Sequence, residues 1–275
     1  MEIIEQILVP KNPKKKSEDG IVVTPDFVAV IDGSTSKTTR RYHPLRSNGE
    51  CAMRAISSYL RRMSPRNSYR QFCIGATHVL QNIYAPFWKP RKAEILAHLK
   101  EHPEERMAAS VIIFSRLRRE IWMVGDCQCL INGELYENPK PYEEELAQLR
   151  ADEVNRLLSQ GTTVEQLRHE DTARPTIIPR MLQAMQGQNR DYSVVDGFPI
   201  PLAHVLCIPL SLQPFELVLA SDGYPFLKPT LAESEAALQQ QLTDDPLNIC
   251  RFKATKGCME GNNSFDDRAY IRFKV

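Results

Sequence analysis

The chain has 275 residues, 42% of them apolar and 25% charged, which is ordinary for a globular protein with a sizeable core. Its formal net charge is +1, so no global field recruits nucleic acid or an anionic membrane, and neither is expected as a partner. No apolar stretch approaches the roughly 18 residues that a membrane span requires.

The N-terminal MEIIEQILVP alternates charged and apolar residues and reads as a strand, not as a signal peptide. Seven cysteines without C-x-x-C spacing read as reduced thiols, so a cytoplasmic location is expected. Residues 2–9 and 21–31 are predicted strands, joined by the polar loop KNPKKKSEDG. Ser47 and Glu50 then form a capping-box pattern. It opens a helix whose apolar positions Ala52, Ala55, Ile56, Tyr59, Leu60 and Met63 keep helical spacing. A second helix carries Tyr69, Phe72, Cys73, Ala76, Val79, Leu80 and Ile83. Pro90 suits the first turn of a third, with Ile95, Leu96 and Leu99, and Trp88 is expected to pack at a helix end.

From Ala108 the pattern turns to strands. AASVIIFSRL and REIWMVGDCQCLI are β-rich, and Asn132-Gly133 is a hairpin signal. Cys127 and Cys129, two apart, share a face and read as core. Helical spacing runs from Tyr142 to Gln160. Thr162 and Glu165 offer a second capping box, and another helix is expected from Ile177 to Met185. HVLCIPL and FELVLASDG are strands, a helix lies near 231–242, and AYIRFKV closes the chain. Strands and helices come in groups, without strict alternation. That predicts antiparallel sheets with helices packed outside, an α+β fold in one domain.

The stretch FVAVIDGSTSK climbs from an apolar run to Asp32. Asp-Gly after a strand is a common turn. It also fits a metal-holding acid, or the phosphate loop of sugar-kinase or actin-like ATPases. For that loop the segment is one residue short, and no later Gly-Gly segment accompanies it. Similar acids recur at other strand ends: Glu18-Asp19-Gly20, Gly125-Asp126, Ser221-Asp222-Gly223 and Asp266-Asp267. Clustered carboxylates repel unless protons or cations neutralise them. An oxygen-only set without a His/Cys cluster selects Mg²⁺ or Mn²⁺, and two such ions can activate a water and clamp a phosphoryl group.

In order and spacing, KKKSEDG, VAVIDGS, MVGDCQCLINGEL, LVLASDG and SFDDRAYIRF resemble the PPM family, the metal-dependent protein phosphatases of the 2C type. EVNRLLSQG resembles that family's helix end, at Glu153, Arg156 and Gly161. The resemblance spans residues 14 to 275. It implies a four-layer αββα sandwich of two antiparallel sheets flanked by helices, as one domain over 1–275. It also implies hydrolysis of phosphoserine or phosphothreonine on a protein partner, the cognate kinase included among the partners considered.

By the same resemblance Asp32 would bridge two Mg²⁺ or Mn²⁺ ions, with Glu18 and the Gly33 carbonyl on the same side and Asp222 and Asp266 on the other. Asp126 would contribute to a third, weaker site, and Asp19 would orient the attacking water. Lys14 stands where a phosphate-binding Arg is common, and Ser34 where a His can act as general acid. Arg40 and Arg41 are candidate substitutes as phosphate donors, and His43 is the histidine placed nearest the site. These departures keep a second reading open, a pseudophosphatase that binds without turnover.

Overall fold

The computed structural model describes residues 1–84 and 91–275, and the expectations for Trp88 and Pro90 lie outside them. β1 (Glu2–Val9) alternates exposed and half-buried side chains, as a strand with one wet face does. The stretch 21–31 is not one strand but a hairpin of β2 (Gly20–Val23) and β3 (Phe27–Gly33). Pro25 has no N–H for a ladder, and the Thr24 hydroxyl accepts the Phe27 N–H at 2.9 Å across the turn. α1 (Asn48–Leu60) begins where its cap predicts, with Ser47 Oγ accepting the Glu50 N–H at 3.1 Å. α2 (Tyr69–Tyr84) and α3 (Lys92–Glu101) follow.

β4 (Ala109–Ser115) and β5 (Glu120–Val124) come next, then β6 (Gln128–Ile131) and β7 (Glu134–Tyr136) around Asn132-Gly133. Both turn residues have positive φ, 50° and 87°, which Asn-Gly adopts at little cost. REIWMVGDCQCLI breaks at Gly125-Asp126, where the sequence places a strand end. At Gly125 φ is +86°, and the chain leaves one sheet for the other.

α4 (Glu143–Ser159), α5 (Val164–His169) and α6 (Arg174–Met185) form the next block. The capping box that opens α5 is Thr163 with Gln166, one residue later than the pair Thr162 and Glu165. β8 (Leu206–Pro209), β9 (Glu216–Ala220), α7 (Leu231–Asp244) and β10 (Arg268–Lys274) complete the order.

Two five-stranded sheets result, β1-β10-β9-β6-β7 and β2-β3-β4-β5-β8, and their neighbouring strands run antiparallel. Between them, Val28, Val30, Ile112 and Phe114 of the second sheet meet Leu217, Leu219, Ile271 and Phe273 of the first. Cys127 and Cys129 lie in this core, as their spacing predicts. The alternate residues Ala29, Ile31, Val111 and Ile113 face outward onto Ile56 and Leu60 of α1 and Phe72 and Leu80 of α2. Being buried on both faces explains why β3 and β4 read as unbroken apolar runs. The outer face of the first sheet (Leu130, Val218, Tyr270) is covered by Tyr224, Leu227 and Leu231 at the start of α7. This is an α+β sandwich of two antiparallel sheets with helices outside.

α4 and α6 pack on one another through Leu146, Ile177 and Met181, and α4 packs on Leu247 and Ile249 through Ala151 and Val154. They form a wall beside the strand ends. Among the described residues, no helix is long and apolar enough to cross a membrane.

Candidate active site

Antiparallel pairing brings the acids to one end of the sandwich. Asp32, near the end of β3, lies opposite Ser110 at the start of β4. Gly20 opens β2 opposite Ile31, so Glu18 and Asp19 enter beside Asp32. Asp222 follows β9 and Asp266 precedes β10, and those strands pair with Ala220 opposite Tyr270. Asp126 precedes β6, whose Gln128 also lies opposite Ala220.

Gly33 permits this crowding. A Cβ there would lie 2.5 Å from the backbone oxygens of both Glu18 and Gly49, so a side chain would push the acidic loop and the start of α1 off β3. Asp267 ties the same loop down, its Oδ1 accepting the Lys11 N–H at 2.7 Å and its Oδ2 the Glu18 N–H at 2.8 Å. Both partners donate. A carboxylate serves both, whereas an asparagine would turn an NH₂ toward one of them.

A cavity of about 600 Å³ opens at this end, lined by Asp32, Gly33, Ser34, Asp126, Asp222 and Asp266. Its lining also includes Tyr142 and Glu143 of α4, Arg174 and Met181 of α6, and Lys256. Lys37 and Lys140 also line it.

The acids divide by their partners. Asp266 holds Lys11 Nζ at 3.0 Å and is in direct contact with Lys256 Nζ. Asp126 is paired with Lys140 and accepts the Ser110 hydroxyl. Burial works to raise the Asp126 pKa, but the Lys140 ammonium holds it below the ordinary carboxylate value. Among the described residues, no ion pair reaches Asp19, Asp32 or Asp222. Burial, reinforced by Asp267 and Asp222, pushes Asp19 up to about 8 against a hydrogen bond from Ser221. Burial and then the charges of Asp222 and Asp19 hold Asp32 well above its usual value.

Glu18 Oε1 and Asp19 Oδ2 are buried without a hydrogen-bond partner. An orphaned buried carboxylate oxygen is costly, and a hard cation satisfies it. Glu18, Asp19, Asp32 and Asp222 therefore fit a Mg²⁺ or Mn²⁺ ion in chemistry and charge. Asp266 and Asp126 are already countered by ammonium groups. No group of three or more His, Cys, Asp or Glu side chains among the described residues is arranged to hold a metal ion.

Among the cavity's basic groups, burial and then the charges of Arg174 and Lys256 lower the Lys37 pKa to about 7. Burial and then Lys11 lower Lys256 to about 8. Cations close enough to depress one another's pKa gain from an anion set between them.

Several expected residues stand elsewhere. Lys14 is exposed and lies outside the cavity, because the turn closed by the Lys15 N–H on the Asn12 carbonyl at 3.0 Å lifts residues 13–16 outward. Lys11 enters the site in its stead. Arg40 is drawn away by Glu105 at 2.6 Å and His98 at 3.1 Å. Arg41 donates to the Thr38 and Arg40 carbonyls. His43 Nδ1 accepts the Leu45 N–H at 3.0 Å within its own loop. Arg156 pairs with Glu153 at 2.6 Å on the outer side of α4. Ser34 does line the cavity.

The sequence reading missed Lys11, Lys37, Lys140, Arg174 and Lys256. Lys37 ends the stretch that singled out Asp32, and Lys140 lies in NPKPYEEE just past the central hairpin. Arg174 and Lys256 carry no local signal.

No family model matches the chain, and no curated protein matches it in sequence. Solved structures do. The catalytic domain of the serine/threonine phosphatase PstP in complex with two manganese ions is 11% identical, with 100% of both chains covered and a TM-score of 0.45. Stp1 from Staphylococcus aureus, a serine/threonine phosphatase, is 14% identical over 100% of this chain and 97% of its own, at 0.47. PppA, a regulatory component of the T6SS in Pseudomonas aeruginosa, is 13% identical over 98% and 96%, at 0.48. The solved structures that this chain is similar to include serine/threonine phosphatases of the PPM family, which its ordered motifs resemble.

Proposed function

We propose that the chain is a metal-dependent phosphomonoester hydrolase acting on phosphoserine or phosphothreonine of a protein partner. One observation supports this above the rest. Asp32 and Asp222, carboxylates without an ion pair among the described residues, line one cavity of about 600 Å³ together with Lys37 and Arg174. The acids suit a hard cation and the bases a phosphoryl anion.

A Mg²⁺ or Mn²⁺ ion bound there supplies a Lewis acid and lowers the pKa of water. Asp32 and Asp222, one from each sheet, would be its carboxylate ligands, with Glu18 and the Gly33 carbonyl beside them. Asp19 would accept a hydrogen bond from the water and so orient it. Lys37 and Arg174 hold the phosphoryl oxygens by charge-assisted hydrogen bonds. Tyr142, Met181 and Phe252, which line the same cavity, flank the substrate with apolar surface.

The two sheets and the α4–α6 wall build the site jointly, which supports taking residues 1–275 as one domain. All seven cysteines are unpaired, which supports a reducing compartment such as the cytoplasm.

A pseudophosphatase is the second reading, favoured by the lysines that already neutralise Asp266 and Asp126. The deciding measurement is Mn²⁺-dependent hydrolysis of p-nitrophenyl phosphate by wild type and Asp222→Asn. Turnover that needs metal and disappears in the variant supports the enzyme. A folded wild type no faster than the variant leaves only a binding role.

A further inference from the structure

We infer that Lys256, seconded by Lys11, is a resident cation on the Asp266 side of the acidic cluster, so that the cluster takes one divalent ion and not two. This rests on the metal-dependent reading of the site and refines it. Both Asp266 carboxylate oxygens are engaged. Oδ1 takes Lys11 Nζ at 3.0 Å and the Asp267 N–H at 2.9 Å, and Oδ2 takes Lys256 Nζ. Lys11 also donates to the Thr35 hydroxyl at 3.3 Å and stands 4.0 Å from Glu18 Oε2. Its charge is thus shared between Asp266 and the rim of the cluster.

Lys256 is not a swinging surface lysine. Its carbonyl accepts the side-chain amide of the buried Asn248 at 3.2 Å, and two residues on the Cys258 N–H bonds the Pro246 carbonyl at 2.8 Å. On the other side the Ala254 N–H bonds the Asn248 carbonyl at 3.1 Å. The buried Gly257 between them packs so closely that a Cβ would lie 2.9 Å from the Arg150 guanidinium. The backbone that presents the ammonium is fastened on both sides, and the stem points into the cavity that Asp266 also lines.

Charge accounting gives the same count. Lys256 and Lys11 neutralise Asp266 and part of Glu18, and Lys140 neutralises Asp126. That leaves Asp19, Asp32 and Asp222, which have no ion pair among the described residues, as the place for one divalent ion. A second ion at Asp266 would sit against an ammonium group, and repulsion by a doubly charged ion is twice that of a monovalent one at the same distance.

The test is the number of Mn²⁺ ions bound per chain by equilibrium dialysis and elemental analysis, in wild type, Lys256→Met and the Lys11→Met/Lys256→Met double variant. Circular dichroism checks folding, and p-nitrophenyl phosphate turnover is read in parallel. The expected result is one ion on the wild type and two on the double variant. Two ions on the wild type overturn the inference, as does no ion at all, or a folded double variant that still binds one. The wild-type count decides even where the variants do not fold. Two ions with turnover would remove the inference and keep the hydrolase. One ion without turnover would keep the inference and remove the hydrolase.

Discussion

Asp267 Oδ2 accepts the backbone N–H of Glu18 at 2.8 Å, and the two residues are 249 positions apart. One carboxylate at the start of β10 thereby sets the path of the loop that delivers Glu18 and Asp19 to the site. Asp267→Asn loses one of the two side-chain oxygens that accept backbone N–H groups and turns an NH₂ toward a donor. It should cost about 1–3 kcal/mol in urea unfolding and weaken Mn²⁺ binding. An unchanged unfolding midpoint together with unchanged Mn²⁺ affinity would refute this role.

Asp126 and Lys140 form a buried pair beside the cavity. Lys140→Met strands a buried carboxylate and should cost about 3–5 kcal/mol, much of it recovered in Asp126→Asn/Lys140→Met. The folded-state pKa of Asp126 is depressed, so its contribution is present above the unfolded value of 3.8 and is lost as pH falls through the lower folded value. Acid unfolding curves should show wild type losing stability below that point faster than the double variant does.

Lys37 should make anion binding pH-dependent. Its pKa of about 7 lies below the ordinary 10.5, so its cationic form is available below pH 7 and fades above it. Sulfate, whose charge does not change over this range, should bind more tightly at pH 6 than at pH 8.5. Lys37→Met should flatten the profile between pH 6 and pH 7.5, leaving the later decline of Lys256, at about 8. Stability runs the other way. Charging Lys37 in the fold is unfavourable, so its contribution to stability rises from pH 7 to 10.5. Calorimetric titration and thermal melts read the two effects separately.

Two arginines should separate binding from scaffolding. Arg174 lines the cavity, and Arg174→Gln should raise KM for a phosphopeptide about 10-fold or more, the scale of a lost hydrogen bond to a charged group. Arg40 is held by Glu105 outside the cavity, so Arg40→Ala should leave KM unchanged and lower the melting temperature slightly. The reverse pattern would move the phosphate grip to the loop after β3.

Much of the sandwich was legible in the chain because period-2 burial is local. Val28 and Val30 face one way and Ala29 and Ile31 the other, which the sequence shows as an unbroken apolar run. The misreading came at Pro25, which splits the stretch 21–31 into a hairpin and changes hydrophobicity too little to register in a pattern of apolar positions. The break at Gly125 was legible, but not that it sends the second half of the β-run to the other sheet.

The acids gathered at this end of the sandwich were also legible, since each closes or precedes a strand and antiparallel pairing gathers such ends on one edge. The lysines that qualify them were not. Lys14 and Lys11 belong to the same basic loop, and only the turn at Asn12 decides that Lys11 faces Asp266 while Lys14 faces solvent.

By itself, then, the sequence determined where carboxylates stand on the strands, because alternation and turn chemistry act over a few residues. The tertiary structure decided which of those carboxylates have an ammonium partner and which do not. That depends on ammonium groups from loops as far as 255 positions away, brought within a few ångströms by packing, and Coulomb energy follows distance in space and not along the chain.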